Sequence, residues 1–458
     1  MYIRSCVNSM DRIMTGKYNW RFLITTSLVT AMGGYLFGFD FAVITGGLPF
    51  LREQFGLNAF WEGFTTGSLA LGCIVGCLVA GRIADQYGRK PGLFAASAIF
   101  FVSSLSMGLA TSLSWFISSR FVAGIGVGMA SMLSPMFIAE ISPAEVRGRL
   151  VAINQLTIVL GQVITHLENF LLRDTGPEAW RWMFGLGTVP SFLFLTGVFF
   201  LPESPRYLLI KGKEGEARKV LSRIGSHSFV ESSVAAILKA MEKESRSHIR
   251  GVFTRGIMPV LLIGIGLAIF QQFCGINVVF NYTTNIFRSI GASTTEQLLQ
   301  AVYISLASLL FTLIAMTLVD RWGRRPLMLT GAGGLAILYV IIGYLLHSRT
   351  GNGLSFFILA AIGIYAMSLA PLTWVLISEI FPNNIRGAAI SVAVIALWSA
   401  YFILVFTFPV IEKYFGDAAA FWGYAVICLL GFLFIYFRLP ETRGKSLEEI
   451  EGSFLNGR

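Results

Sequence analysis

The chain has 458 residues, of which 55% are hydrophobic and only 13% are charged, and its mean hydropathy is +0.70. A soluble globular protein carries about 25% charged residues, so this composition excludes an ordinary water-soluble fold and indicates a surface that faces lipid. The formal charge of +10 is spread over short segments between apolar runs. It forms no basic, aromatic-studded face, so the sequence does not predict a nucleic-acid partner.

Twelve apolar segments are long enough to cross a bilayer as helices, which takes about 20 residues each. They are too long and continuous to be barrel strands, so we predict an all-α integral membrane protein. The first 20 residues are polar and mixed, without the pattern of a signal peptide. In chain order the predicted spans are 22–48, 63–82, 91–110, 113–138, 150–172, 182–201, 257–287, 298–319, 326–346, 354–380, 387–410 and 419–438.

The segments between the spans differ in basic charge on the two sides of the membrane. With a cytoplasmic N-terminus, the cytoplasmic side holds 28 of the 35 Lys and Arg residues and the outer side holds six. The remaining one, Arg120, lies within a span. The positive-inside rule therefore predicts a multi-pass protein of the cell membrane with both termini in the cytoplasm.

One long polar insert, residues 202–256, divides the twelve spans into two sets of six. Its stretches "EGEARKVLSRI" and "ESSVAAILKAMEKE" have helical spacing and predict short amphipathic helices beneath the membrane domain, with a solvated linker as the alternative. The predicted organisation has five parts: an N-terminal tail at 1–21, a six-helix bundle at 22–201, the linker at 202–256, a second six-helix bundle at 257–438 and a C-terminal tail at 439–458.

The two halves repeat three motifs in the same order. The pairs are "ADQYGRKP" and "VDRWGRRP", "AEISPAEVRGRL" and "SEIFPNNIRGAA", and "PESPR" and "PETRG", at offsets of 235, 239 and 238 residues. Each motif recurs after the same number of spans, so the halves have parallel topology. An axis along the membrane normal should relate them, which is typical of transporters.

Across residues 22–454 these motifs resemble the sugar porter family of the major facilitator superfamily. The resemblance is carried by "GRIADQYGRKP", "SRFVAGIGVGMASMLSPMFIAEISPAEVRGRL", "PESPRYL", "QQFCGINVVFNY", "DRWGRRP" and "PETRGKSLEEI". It implies two pseudo-symmetric six-helix bundles and a monomer that works by alternating access without a cofactor. Among the members of this family, the chain resembles bacterial sugar–proton symporters and animal facilitative glucose transporters.

The repeated motifs place carboxylates and arginines at the predicted cytoplasmic ends of helices. Such groups can pair, and a network of them can hold two bundles together although one exposed pair contributes little. The resemblance implies this latch for Glu140, Glu379, Arg147 and Arg386, while the Lys and Arg alone would also fit topogenic charge. The predicted cytoplasmic gate consists of Asp85, Arg89, Glu140, Arg147, Glu203, Asp320, Arg324, Glu379, Arg386 and Glu441.

A sugar presents hydroxyl groups around apolar C–H faces, so its site needs amides that both donate and accept. In span five, Gln162, Thr165, His166 and Asn169 fall on one polar stripe. In span seven, Gly275 permits a helix break that turns residues on both sides toward one cavity. The resemblance implies that the sugar hydroxyls are bound by Gln162, Gln271, Gln272 and Asn277, and we add His166 and Asn169 to the predicted site.

Aromatic planes should cover the apolar faces of the sugar. The resemblance implies Trp374, Phe37 and Trp398 for this role, with simple packing as the alternative for the last two. His166 has three open interpretations: a proton-sensitive group, a hydrogen-bonding partner of the sugar, or a packing residue near the outer mouth. The sequence departs from the family pattern at His166, Glu168, Asn281, Ala370 and Leu397, so it does not identify the sugar.

Asp40 lies deep in span one, within "FGFDFAVITGG", where a bare carboxylate costs free energy. Arg120 is the one cation in the interior of a span of the same half. The resemblance implies that the two pair and that Asp40 is the proton site. A permanent buried ion pair without a role in coupling is the alternative, although such pairs often add little stability.

The sequence therefore predicts a proton-coupled symporter that imports a hexose or pentose, with the sugar, protons and lipid as its partners. It contains no phosphate-binding loop of the GxxxxGK[ST] type, so a gradient must supply the energy. A uniporter without proton coupling is the alternative. A receptor that binds sugar and signals instead of transporting it is less favoured, because it would need a signalling extension and the tail after the last span is short. No catalytic or metal-ligating set can be assembled from the four His and the carboxylates, so the protein is not predicted to be an enzyme.

Overall fold

The computed structural model describes residues 18–243, 257–349, 351, 353–381, 386–439 and 441, except for the side chains at 240, 242–243, 318–321, 378–379 and 386–387. Within these residues the chain is almost entirely helical. The first half contains α1 Trp20–Phe55, α2 Ala59–Gln86, α3 Arg89–Gly108, α4 Leu113–Ile141, α5 Arg147–Leu172, α6 Ala179–Gly185 and α7 Thr188–Phe200.

Three short helices follow between the halves, α8 Pro205–Ile210, α9 Glu214–Ser222 and α10 His227–Lys243. The helices α9 and α10 cover most of the two stretches predicted as amphipathic. The second half contains α11 Met258–Phe273, α12 Ile276–Asn281, α13 Thr283–Ser289, α14 Thr294–Trp322, α15 Arg324–His347, α16 Leu354–Met367, α17 Leu369–Ile380 and α18 Arg386–Arg438.

The prediction of a twelve-span all-α fold is confirmed, and the structure corrects several boundaries. Eleven helical segments of the described residues are long and apolar enough to cross a membrane. The last of them, α18, covers two predicted spans, which meet at a kink where Gly416 is non-helical, with φ 80° and ψ 162°. Span six is formed by α6 and α7, span seven by α11, α12 and α13, and span ten by α16 and α17.

Successive spans cross in alternate directions, so α1 begins and α18 ends on one side of the molecule. We call this side the terminal face and the other side the opposite face. Polar side chains mark where several helices begin: Asn58 accepts from the N–H of Trp61 before α2, and Ser112 accepts from the N–H of Trp115 before α4. These caps satisfy backbone donors that lack a partner in the first helical turn.

Glycines allow the helices of the first half to pack with their backbones almost in contact. A Cβ atom at Gly72 or Gly124 would collide with a backbone carbonyl across the α2–α4 interface, and one at Gly161 would collide with the carbonyl of Tyr35 on α1. Small residues at helix interfaces serve this purpose in membranes, where burial from water cannot drive association. The α1–α5 and α2–α4 pairs therefore form a closely packed frame around the middle of α1.

The two halves meet mainly where α2 packs on α18 and α5 packs on α14. These contacts leave a cavity between the halves near the middle of the spans. The cavity is lined from α1 and α5 on one side and from α11, α12, α14, α16, α17 and α18 on the other.

Candidate functional site

The central cavity brings together most of the residues that the sequence predicts for sugar binding. Its wall includes Phe37, Gln162, Gln271, Gln272, Asn277, Trp374 and Trp398. It also includes residues that the sequence did not point to, among them Phe41, Gln155, Ser308, Thr312, Tyr365 and Tyr401. The cavity therefore combines amide, hydroxyl and aromatic groups at the boundary between the halves.

The amides of span seven meet because the helix breaks at Gly275. This glycine has φ 85°, in the left-handed region that favours glycine, and it separates α11 from α12. Across the break, Asn277 Nδ2 donates to Gln272 Oε1 at 2.5 Å. On the other side, Gln272 Nε2 donates to Gln271 Oε1 at 2.6 Å, and Gln271 Nε2 donates to the Tyr365 hydroxyl at 2.8 Å. Each amide still has an N–H and oxygen lone pairs available for a ligand.

Aromatic rings from both halves cover one side of the cavity. The ring centroids of Phe37 and Trp398 are 5.9 Å apart, and those of Phe41 and Tyr401 are 5.0 Å apart. Since Phe37 and Phe41 lie on α1 and the other two on α18, this cluster crosses the interface between the halves. Trp374 on α17 lies nearer the terminal face and is 40% exposed, so the cavity is accessible from that side.

Asp40 and Arg120 are both fully enclosed but do not form the side-chain ion pair that the resemblance implies. Asp40 is 1% exposed, and neither carboxylate oxygen has a hydrogen-bond partner among the described residues. The Arg120 guanidinium instead makes a long hydrogen bond, 3.4 Å, to the backbone carbonyl of Asp40 and lies 5.8 Å from the ring centroid of Phe184. Burying a carboxylate without hydrogen-bond partners costs free energy when it is charged.

The outer part of the α5 polar stripe lies outside the cavity in this conformation. Thr165, His166 and Asn169 are buried, and Asn169 Nδ2 donates to the carbonyl of Ala42 on α1 at 3.2 Å. No side chain among the described residues accepts from or donates to the ring nitrogens of His166, which is 2% exposed. Gln162 is therefore the one member of the predicted stripe that lines the cavity as the structure stands.

The opposite face is closed by hydrogen bonds between the halves. The Thr45 hydroxyl donates to the carbonyl of Phe280 at 2.7 Å. Farther out, Arg52 Nη2 contacts Glu62 Oε1 at 2.6 Å and Asn285 Oδ1 at 2.7 Å. Sequence patterns do not reveal this closure, because it joins the halves through residues more than 200 positions apart.

The gate residues make helix-capping and intra-half contacts on the terminal face. Arg89 Nη2 pairs with Glu140 Oε1 at 2.9 Å, which ties α3 to α4. Glu203 accepts from the backbone N–H groups of Arg89 at 3.0 Å and of Lys90 at 3.2 Å. Burial raises the pKa of the Glu203 carboxyl, whereas these N–H donors and the Arg89 charge favour its ionised form.

The second half repeats this cap. Glu441 accepts from the backbone N–H groups of Arg324 at 3.0 Å and Arg325 at 3.1 Å, at the start of α15. Gly88 and Gly323, which precede the two capped helices, have φ 108° and 90°, so the shared shape of the turn depends on glycine in both halves. The repeated "GRKP" and "GRRP" motifs therefore build equivalent helix starts.

The remaining gate predictions divide into two groups. Asp85 is exposed and makes no ion pair with a described residue, and Arg147 lines a cleft on the terminal face together with Glu140. The side chains of Asp320, Glu379 and Arg386 lie outside the described residues. The predicted latch between the halves thus stays a prediction for a conformation in which the terminal face is closed.

Metal ligands are not assembled anywhere in the part of the chain that the structure describes, where no three His, Cys, Asp or Glu residues cluster suitably. Four of the cysteines, Cys73, Cys77, Cys274 and Cys428, are buried and unpaired. The site is therefore described by its amides, aromatic rings and one buried carboxylate.

Comparisons with known proteins match almost the whole chain. The model of the family described as "Sugar (and other) transporter" matches residues 26–454. The D-xylose-proton symporter of Escherichia coli K12 is 36% identical over 481 aligned positions, which cover 96% of this chain and 97% of the symporter. The arabinose-proton symporter of Bacillus subtilis is 35% identical over 446 positions, covering 96% of each protein.

The fold is equally similar to a solved transporter. The partially occluded inward-open conformation of the xylose transporter XylE from E. coli has a TM-score of 0.84 and 34% identity, and the alignment covers 93% of this chain and 100% of that one. These relatives are transporters and not enzymes, as predicted for this chain. With a family match over nearly its full length, the protein belongs to the sugar porter family of the major facilitator superfamily.

Proposed function

We propose that this multi-pass membrane sugar transporter imports a monosaccharide, a hexose or a pentose, together with protons. The observation that carries the proposal is the placement of Asp40, which is buried without a side-chain partner next to Phe41, a residue of the cavity wall. A sugar in the cavity and a proton on Asp40 would therefore be bound a few side chains apart. The printed names of the xylose and arabinose relatives support the same coupling.

In this proposal the cavity amides bind the sugar. Gln162, Gln271, Gln272 and Asn277 donate to and accept from its hydroxyl groups, because a neutral amide can do both. Phe37, Trp374 and Trp398 cover its C–H faces. His166 and Asn169 join the site when the opposite face opens, since the same helix, α5, carries them one and two turns beyond Gln162.

The terminal face is proposed to be cytoplasmic, and the structure then corresponds to an inward-facing state. The exposed Trp374 on the terminal side and the closed contacts of Thr45, Arg52 and Glu62 on the other side support this assignment. Transport would proceed as the two halves rock about the central site, as in other transporters built from repeats. A monomer is sufficient for this cycle because the cavity is lined by one chain.

The test is uptake by the purified protein in proteoliposomes, with and without an imposed pH gradient. D-xylose, D-glucose, D-galactose and L-arabinose would be compared in competition. Accumulation above the external concentration, driven by an inward proton gradient, is the expected result. A uniporter would equilibrate the same sugar at equal rates under both conditions, and that outcome would contradict the proton-coupled function.

A further inference from the structure

The three amides of span seven form a chain of hydrogen bonds that runs in one direction. The side-chain amide of Asn277 donates to that of Gln272, and Gln272 donates to Gln271. Gln271 Nε2 then donates to the hydroxyl oxygen of Tyr365 at 2.8 Å. All four side chains line the cavity, so the chain ends at the cavity wall on a hydroxyl group that acts as an acceptor.

This arrangement leaves the hydroxyl proton of Tyr365 available to a ligand. A tyrosine hydroxyl can accept on its oxygen and also donate its own proton. Because an amide N–H has no lone pair to offer, Gln271 Nε2 cannot accept that proton in return. No side chain or carbonyl of the described residues accepts it either, although Tyr365 is only 8% exposed. A buried donor without an acceptor costs free energy, and an oxygen atom of a ligand in the cavity would remove this cost.

The other tyrosine of the cavity wall, Tyr401, is in a different situation. Its hydroxyl donates to Asn281 Oδ1 at 3.1 Å, so its proton is already in use within the protein. Of the two tyrosines that line the cavity, Tyr365 is therefore the one that can donate to a ligand without breaking a hydrogen bond of the protein.

Tyr365 and Gln271 occupy equivalent points in two broken spans. Gln271 lies two residues before the end of α11, and Tyr365 lies two residues before the end of α16. The residue after α16, Ser368, has the non-helical angles φ −125° and ψ −86°. Breaks of this kind near the middle of a membrane form the substrate sites of many transporters. The bond between Gln271 and Tyr365 thus holds the hydroxyl where a ligand can contact both spans.

We propose that Tyr365 is a sugar-binding and specificity-determining residue, which donates its hydroxyl proton to one oxygen atom of the bound sugar. This inference rests on the proposed function and adds a named contact to its site. The amide chain that donates to Tyr365 polarises the hydroxyl and strengthens its bond to the sugar. A sugar that lacks the contacted oxygen leaves the proton unpaired, so the site discriminates against it.

The experiment measures sugar binding by calorimetry on the purified full-length protein. The probe is whichever of D-xylose, D-glucose, D-galactose and L-arabinose binds most tightly, together with its monodeoxy analogues and its 5-thio analogue, which has sulfur in place of the ring oxygen. Each analogue has a penalty, the factor by which it binds more weakly than the parent sugar. This series tests every oxygen of the sugar in turn.

The variant is Tyr365→Phe, which keeps the ring and removes only the hydroxyl. For one analogue, the penalty should be about 5-fold smaller in Tyr365→Phe than in wild type, because one hydrogen bond contributes about 1 kcal/mol. For the other analogues, the penalties should be the same in both proteins. Such non-additivity identifies two groups that are in contact, whereas a general change in the site affects all analogues alike.

Tyr401→Phe is the matched control, because it removes a hydroxyl from the same cavity wall whose proton is used within the protein. Its penalties should equal those of wild type for every analogue, whatever its affinity for the parent sugar. The thermal unfolding temperature of each variant is measured to verify that it is folded.

Three results would contradict these expectations, and they are distinguishable. If Tyr365→Phe weakens the binding of the parent sugar and of all analogues by one common factor, the hydroxyl only positions Gln271, and the inference is wrong. Binding of the whole series as in wild type would exclude any role of the hydroxyl. In both cases the proposed function stands, since wild type binds the sugar. If wild type binds none of the four sugars, the proposed function itself is wrong and the inference falls with it.

Discussion

The side-chain amide nitrogen of Asn285 donates to Glu62 Oε1 at 2.6 Å, and this bond joins the two halves of the protein at the opposite face. The same amide donates to Glu412 at 3.1 Å, and its oxygen accepts from Arg52. One neutral side chain from the second half is thus inserted into a charged cluster with two members from the first half. Such a cluster can be rebuilt at each cycle, because every contact in it is a hydrogen bond or an ion pair.

The first prediction concerns closure of this face. Gly63, one residue after Glu62, packs against the backbone carbonyl of Phe406 on α18, and a Cβ atom there would collide with it. Gly63→Trp should therefore hold the opposite face open. Sugar uptake should fall to the background of empty liposomes, while sugar binding by calorimetry is retained.

Gly81→Trp is the control for that variant, because Gly81 lies on the same helix and a Cβ atom added there would meet no other atom within 4 Å. It should transport at nearly the wild-type rate. Normal transport by Gly63→Trp would show that α2 and α18 need not approach closely during the cycle.

The second prediction concerns the buried carboxylate. Asp40→Asn should abolish accumulation of sugar against a gradient, since an amide of similar shape cannot carry the proton. Counterflow of labelled sugar between two equal pools should persist, because that exchange needs no net proton movement. Accumulation at the wild-type level in this variant would remove Asp40 from the coupling mechanism.

The third prediction concerns the cavity amides. Gln162→Ala and Gln272→Ala should each lower the affinity for the transported sugar about 30-fold, because one hydrogen bond contributes about 1 kcal/mol and an amide can make two of them. Calorimetric titration measures the change. Gln86→Ala, at the exposed end of α2, should bind like wild type, and unaltered binding by either cavity variant would exclude that residue from the site.

Local sequence signals are sufficient to predict the spans and the break at Gly275. Apolar length determines where a chain can cross a bilayer, and a glycine in a polar stretch indicates where a helix can bend. The contact between Tyr401 and Asn281 could not be predicted in the same way. Its members lie on helices whose rotation about their own axes is fixed by packing between distant parts of the chain.

The charged residues show the same limit of prediction from the sequence. Asp40 and Arg120 stand out in the sequence because a charge inside a span is unusual, and both are buried beside each other. Their side chains nevertheless do not pair, because the guanidinium is directed toward the backbone carbonyl of Asp40 and the Phe184 ring. Sequence identifies which charged groups are buried, whereas the direction of each side chain depends on the packing around it.

The last prediction concerns the repeated helix caps on the terminal face. Glu203 accepts from the backbone N–H groups of Arg89, Lys90 and Ser204, so Glu203→Ala leaves three donors without their acceptor. Loss of such a cap costs about 1–2 kcal/mol. The thermal unfolding temperature of the detergent-solubilised protein should fall accordingly, and Glu441→Ala should lower it in the same way, because Glu441 caps the equivalent helix α15.

Two further variants separate capping from charge. Glu203→Gln should be milder than Glu203→Ala, because its amide oxygen still accepts from the helix N–H groups while the favourable charge at the helix start is lost. Glu53→Ala removes an exposed carboxylate from the end of α1 and should leave the unfolding temperature unchanged. If Glu203→Gln were as destabilising as Glu203→Ala, the charge of Glu203 rather than its hydrogen bonds would hold the start of α3 in place.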